Sequence, residues 1–135
     1  DPIEIYNYGK MKRDFTYIDD LVKSIYLLIH KSHYDLNLKR KIKHDSISDT
    51  AHYRIVNIGN LDLVNLMKYI TELKSSLGMI SKRIYLGMKR DDEEKTFSNT
   101  NLLYKLIGFR PKTSITIGVR KFVEWYESYY KLEIK

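Results

Sequence analysis

Hydrophobic residues recur at helical spacing in four segments of the chain, and each segment predicts an amphipathic helix. The helices are expected over residues 19–30, 63–77, 98–108 and 117–130. Asp19 and Asp20 favour the start of the first helix, since carboxylates cap a helix N-terminus and interact well with its dipole. Gly78 and Gly108 favour the ends of the second and third helices, because glycine readily adopts the left-handed conformation of a helix C-cap.

Shorter segments rich in β-branched and aromatic residues predict extended structure between these helices. Strands are expected over residues 3–8, 53–60 and 83–88, with a further extended segment over 13–18. Because strands alternate with helices and no segment is repeated, the pattern indicates the α/β class. So few strands predict a sheet that is incomplete as a doubly wound sheet.

The remaining polar residues predict a long surface loop at about 31–52, within a single domain of 135 residues. The net charge of +7 suits nucleic acid, a membrane surface or phosphorylated small molecules. The densest basic run, residues 38–44, lies in this loop and is not accompanied by a nucleic-acid-binding motif. A basic nucleic-acid-binding protein is therefore the less favoured interpretation.

The absence of cysteine from the sequence excludes disulfides, thiolate metal sites and a cysteine nucleophile, and it favours a cytoplasmic protein. No stretch approaches 18 consecutive apolar residues, so no membrane span is expected. The chain begins with Asp1 rather than Met, which predicts a processed chain or a fragment. His44, Asp45 and His52 show a spacing that fits no compact metal-binding pattern, so no metal site is predicted.

Three Tyr–Lys pairs show the spacing Tyr-x-x-x-Lys, which is the catalytic signature of the short-chain dehydrogenase/reductase superfamily. They are Tyr6–Lys10, Tyr8–Lys12 and Tyr85–Lys89. The chemistry needs a helix, because only there do residues four apart share a face and allow the ammonium to lower the pKa of the phenol. All three pairs fall in predicted strands or at their ends, where four residues span roughly 13 Å. With 12 tyrosines in a lysine-rich chain, we interpret the pairs as coincidental and predict no catalytic residue.

The segment YNYGKMKRDFTYIDD, residues 6–20, nevertheless closely resembles the segment that follows the catalytic half of extended short-chain dehydrogenase/reductases. It is most similar to the UDP-glucuronate 4-epimerase group of the NAD-dependent epimerase/dehydratase family. YRIVNIGN, residues 53–60, resembles a second marker of that group, and residues 107–130 resemble its C-terminal helix. The three markers occur in the family's order and spacing.

The resemblance implies a full-length enzyme whose N-terminal Rossmann half carries a Gly-rich dinucleotide loop and a true Tyr-x-x-x-Lys pair. The six glycines of this chain cannot form a G-x-x-G-x-x-G loop. We therefore expect the chain to be the C-terminal, substrate-binding portion, with the Rossmann half absent. NAD is the cofactor of the full-length family, and none is expected to bind this chain alone.

The resemblance also assigns candidate substrate-binding residues. Arg13 matches the family arginine that contacts the UDP diphosphate, a role that suits the guanidinium fork. Asp92 matches the acid near the uridine ribose. Lys89 lies where the family has an Arg or Gln that reaches the nucleotide, and Arg90 could substitute for it. The alternatives are a local Arg13–Asp14 pair and a solvated charged loop.

Two departures from the family pattern lie beside these residues. Asp91 replaces a glycine, so a tight turn with positive φ would be strained there. Glu93 and Glu94 add carboxylates that would oppose a diphosphate ligand.

The resemblance thus implies the sugar-nucleotide-binding part of an isomerase that converts UDP-glucuronate to UDP-galacturonate by NAD-dependent C4 epimerisation. Its partners would be a UDP-sugar, a separate or missing Rossmann half, and a second copy, since family members are often homodimers. The chain alone is not expected to be catalytic. The alternative is a truncated, non-catalytic relic or binding module.

Overall fold

The chain forms four α-helices and five short strands within residues 2–31, 42–51 and 53–131, the part that the computed structural model describes. In chain order they are β1 Ile3–Ile5, β2 Lys12–Asp14, α1 Ile18–Ile29, β3 Leu63–Asn65, α2 Leu66–Leu77, β4 Arg83–Tyr85, β5 Lys95–Thr96, α3 Asn101–Ile107 and α4 Ile115–Tyr130. A 3-10 helix, Tyr6–Gly9, follows β1. The predicted α/β class is confirmed.

The strands form two small sheets in the described part of the chain. β1 and β4 pair in parallel, with Ile3 opposite Arg83. In the second sheet β2 is central, with β3 antiparallel on one side and β5 parallel on the other. This register places Arg13 opposite both Val64 and Thr96. With two and three strands, the sheets of the described residues confirm the prediction of an incomplete sheet.

The chain divides into two compact units. The first comprises Asp1–Phe15, Asp62–Phe97 and Thr113–Lys135, and it contains both sheets together with α2 and α4. The second comprises Thr16–Leu61 and Ser98–Lys112, and it contains α1 and α3. None of the helices in the described residues combines the length and the apolar run that crossing a bilayer requires.

The core of the first unit forms where α4 packs on α2 and β3. Ile115, Val119 and Val123 recur every four residues along α4, so they share one helical face, and all three are buried with Val64 of β3. Phe15 stacks on Tyr69 beside this core, with ring centroids 4.8 Å apart. Because Val64 is the cross-strand neighbour of Arg13, this core fixes the position of the strand that carries Arg13.

In the second unit α1 packs against α3. Leu103 and Leu106 of α3 are buried, and so is Ser24 of α1, whose hydroxyl donates to the carbonyl oxygen of Asp20 over 2.7 Å. Asp20 also accepts from the backbone N–H of Lys112 over 3.0 Å, which joins the segment after α3 to the first turn of α1.

The predicted helix ends are largely confirmed. Gly78 and Gly108 cap α2 and α3 in the left-handed conformation, with φ of 63° and 68°. The second helix begins at Leu66 rather than at residue 63, because the Asn65 side chain accepts from the backbone N–H of Met67 and caps the helix there. Residues before this cap form β3 instead.

The prediction of a strand over residues 53–60 is wrong, because these residues form no strand. A strand requires a ladder of backbone bonds to a neighbour. The backbone N–H of Ile55 instead donates to the hydroxyl of Ser46, and that hydroxyl donates to the carbonyl oxygen of Ile55. The carbonyl oxygen of Tyr53 accepts from the backbone N–H of Ser48. The strand predicted over 3–8 is also shorter, because the chain leaves the sheet after Ile5.

Replacing Gly9 by alanine is expected to lower the free energy of unfolding by about 1–2 kcal/mol. Gly9 has φ of +77°, and a Cβ added there would lie 2.7 Å from Sδ of Met67. Gly87→Ala is the matched control, because a Cβ at Gly87 meets nothing within 4 Å. Urea unfolding monitored by circular dichroism measures the free energy of unfolding of both variants. Equal losses of stability in Gly9→Ala and Gly87→Ala would contradict the prediction.

Candidate functional site

Arg13 lies in the middle of β2, and its guanidinium is held against residues 92–94 of the same unit. Nη1 donates to the carbonyl oxygens of Lys12 and Glu94 over 3.0 and 3.3 Å. Nη2 donates to Oδ1 of Asp92 over 2.8 Å. The side chain keeps 27% of its surface exposed.

The turn Lys89–Asp92 positions the acid beside Arg13. The N–H of Asp92 donates to the carbonyl oxygen of Lys89 over 3.3 Å, and Oδ1 of Asp92 accepts from the N–H of Glu93 over 3.0 Å. The chain then enters β5, whose parallel pairing with β2 brings together two residues that are 79 positions apart. β5, Lys95–Thr96, follows the charged residues 89–94 and was not among the strands predicted above.

The structure thus brings the side chains of two of the four predicted site residues, Arg13 and Asp92, into contact. Lys89 instead places Nζ over the ring of Tyr6, 4.0 Å from the centroid. Arg90 is exposed at the corner of the turn. Their predicted contact with a nucleotide stays a prediction.

Asp91 does not strain this turn. The non-glycine residues with positive φ in the described chain are Asn7, Tyr8, His44, Leu61 and Lys131. The Lys89–Asp92 turn closes without positive φ at Asp91, so the strain expected for such a conformation does not arise here.

The Tyr-x-x-x-Lys pairs near the N-terminus do not share a regular helical face. Tyr6 and Tyr8 lie in the 3-10 helix rather than in the predicted strand, and Asn7 and Tyr8 both have left-handed φ of 49°. The Tyr6 hydroxyl donates to Glu4 over 2.6 Å, while Lys12 lies in β2. Neither pair therefore has the arrangement on one helical face that the catalytic chemistry needs, and the interpretation of the pairs as coincidental stays a prediction.

Asp45, considered above as a metal ligand, has a different partner. Arg54 donates from Nε and Nη2 to the two carboxylate oxygens over 3.0 and 3.1 Å. His52 lies outside the described residues. No group of three metal-ligating side chains occurs within residues 2–31, 42–51 and 53–131. The spacing of Asp45 and Arg54 in the sequence carries no signal for this ion pair.

Comparison with solved structures defines the class of fold. The chain superimposes on UDP-glucuronic acid 4-epimerase from Bacillus cereus, solved in complex with UDP-glucuronic acid and NAD, with a TM-score of 0.70 and 18% identity. The match covers 96% of this chain and 36% of that one. The fold is therefore that of a part of a Rossmann-type epimerase.

Relatives similar in sequence indicate more specifically which group of epimerases the chain resembles. The chain is 40% identical over 131 residues to a probable UDP-glucuronate 4-epimerase of Rhizobium meliloti (strain 1021), covering 96% of this chain and 38% of the relative. It is 43% identical to an uncharacterised 37.6 kDa protein of Escherichia coli O111:H-, of which it spans 39%. No protein-family model matches the chain. The predicted resemblance to the UDP-glucuronate 4-epimerases is confirmed, and it is consistent with the C-terminal portion of such an enzyme.

Proposed function

We propose that this chain is the sugar-nucleotide-binding part of a UDP-glucuronate 4-epimerase-like enzyme, and that Arg13 binds the diphosphate of a UDP-sugar. The observation that carries the proposal is the partly exposed side chain of Arg13, whose guanidinium donates to two backbone carbonyl oxygens in a chain similar to these epimerases. Lys89, Arg90 and Asp92 belong to the adjacent turn, and we assign them to the same proposed site.

The backbone bonds to Arg13 serve the proposed role, because they orient the guanidinium before a ligand arrives. An arginine whose rotamer is already fixed loses little conformational freedom on binding. Its planar fork offers paired donors to phosphate oxygens, and such charge-assisted bonds are about twice as strong as neutral ones. Arg13 is thus suited to hold the diphosphate.

The residues of this chain do not fit NAD. The dinucleotide site of a Rossmann half requires a Gly-rich loop between a strand and a helix, and the six glycines of the chain do not form one. The Tyr6–Lys10 pair spans the left-handed residues Asn7 and Tyr8, and the Lys89 ammonium lies over the ring of Tyr6. No hydride-transfer step is derived from these residues, and the proposed contribution is substrate binding alone.

Calorimetric titration of the 135-residue chain tests the proposal. UDP and UDP-glucuronate are expected to bind, whereas NAD is expected to give no binding heat. Arg13→Ala should weaken UDP binding roughly 10- to 100-fold, and Arg120→Ala provides a matched control because Arg120 is 65% exposed on α4. Binding of NAD, or UDP binding unaffected by Arg13→Ala, would contradict the proposal.

A further inference from the structure

The carboxylate of Asp92, which contacts Arg13, affects how strongly the site binds anions. This inference rests on the function proposed above. Asp92 Oδ1 accepts from Nη2 of Arg13 over 2.8 Å and from the N–H of Glu93 over 3.0 Å. The backbone N–H of Asp92 donates to the carbonyl oxygen of Lys89, which fixes the backbone on the N-terminal side of Asp92. The carboxylate oxygen is therefore held against the guanidinium by its own main chain.

A carboxylate and a phosphate accept the same charge-assisted bonds from an arginine fork, so they compete for its donors. Asp92 accepts one of the two N–H bonds of Nη2, while the carbonyl oxygens of Lys12 and Glu94 accept from Nη1. A phosphate oxygen that binds at the Asp92-facing side of Nη2 takes the position of Oδ1. The displaced carboxylate then remains beside the bound anion, where like charges repel.

The pair is accessible enough for this exchange to occur. The Arg13 and Asp92 side chains are 27% and 34% exposed, and ion pairs of such exposure are weak because water screens them. A polyanion can therefore open the contact, but its affinity is lowered by the free energy of the Arg13–Asp92 interaction.

We infer that Asp92 acts as an internal counter-ion of Arg13 and competes with anionic ligands for the guanidinium. This role differs from a contact with the ribose. A counter-ion weakens the binding of every ligand that reaches Arg13 through a phosphate, whereas a ribose contact strengthens the binding of ligands that carry a nucleoside.

Asp92→Asn separates the two roles when inorganic pyrophosphate, UDP and uridine are titrated at constant ionic strength. Removing the charge is expected to tighten pyrophosphate and UDP binding about two- to fivefold, the range that a weak ion pair corresponds to. Any affinity for uridine should not change. Asp91→Asn is the matched control, because it removes the same charge from the neighbouring exposed position and should give a smaller gain.

A double variant, Arg13→Ala with Asp92→Asn, shows whether the gain acts through the guanidinium. The counter-ion role predicts that the Asp92→Asn gain disappears when Arg13 is absent. Weaker UDP and uridine binding in Asp92→Asn, or equal gains in Asp91→Asn and Asp92→Asn, would overturn the inference. If wild-type UDP binding depends on Arg13 while Asp92→Asn brings no gain, the proposed function stands and this inference fails. If no variant binds UDP, both fail.

Discussion

Asp45→Ala is expected to lower the free energy of unfolding by about 3–5 kcal/mol, the usual effect of removing one partner of a buried ion pair. The Asp45 side chain is 1% exposed and that of Arg54 is 11% exposed. The two are joined by two hydrogen bonds of 3.0 and 3.1 Å. Alanine would leave the Arg54 guanidinium buried without its counter-charge and would also remove the acceptor of the Ile47 N–H.

The exposed pair of Arg120 and Glu124 provides the control. Its atoms are 3.8 Å apart and both side chains are 65% exposed, so Glu124→Ala should change the stability by less than about 1 kcal/mol. Urea unfolding monitored by circular dichroism gives both values. Similar small changes in the two variants would mean that the Arg54–Asp45 pair is not buried in solution.

Leu103→Ala is expected to lower the free energy of unfolding by about 2–5 kcal/mol, because it opens a cavity in the core of the second unit. Leu103 is fully buried on α3, a helix of only seven residues. Ile25 lies on α1 of the same unit and is 44% exposed, so Ile25→Ala should change the stability by less than about 1 kcal/mol. Urea unfolding monitored by circular dichroism gives the stability of both variants. An equal loss of stability in Leu103→Ala and Ile25→Ala would contradict the burial of Leu103.

Structural features that depend only on residues close together in the sequence could be predicted from it. The left-handed caps at Gly78 and Gly108 and the amphipathic last helix follow from local conformational preference and helical periodicity. The segment over residues 53–60 shows the limit of such reasoning. Its residues favour extended structure, but whether a segment forms a strand depends on a partner elsewhere in the chain.

The contacts of the candidate site depend on distant pairing and could not be predicted. Arg13 and Asp92 were each identified by resemblance as separate ligands of one substrate. Their contact exists because β5 pairs with β2, and β5 has only two residues within a charged segment that shows no strand pattern. The ion pair of Asp45 with Arg54 was missed for a similar reason, since charge alone does not indicate which loop residues are buried together.

The most direct test of the account is the affinity of the chain for UDP with and without the Arg13 guanidinium. Loss of a charge-assisted contact of about 1.5–3 kcal/mol corresponds to roughly 10- to 100-fold weaker binding in Arg13→Ala. Arg13→Lys should be intermediate, because it keeps the charge but loses the planar fork.

Calorimetric titration of the wild type, both Arg13 variants and Arg120→Ala completes this comparison, with circular dichroism to verify that each variant is folded. The account predicts that the wild type and Arg120→Ala bind UDP equally well and that Arg13→Ala binds at least about tenfold more weakly. A folded chain that does not bind UDP, or that binds it equally well without Arg13, would contradict the proposed function and favour the non-catalytic relic or binding module.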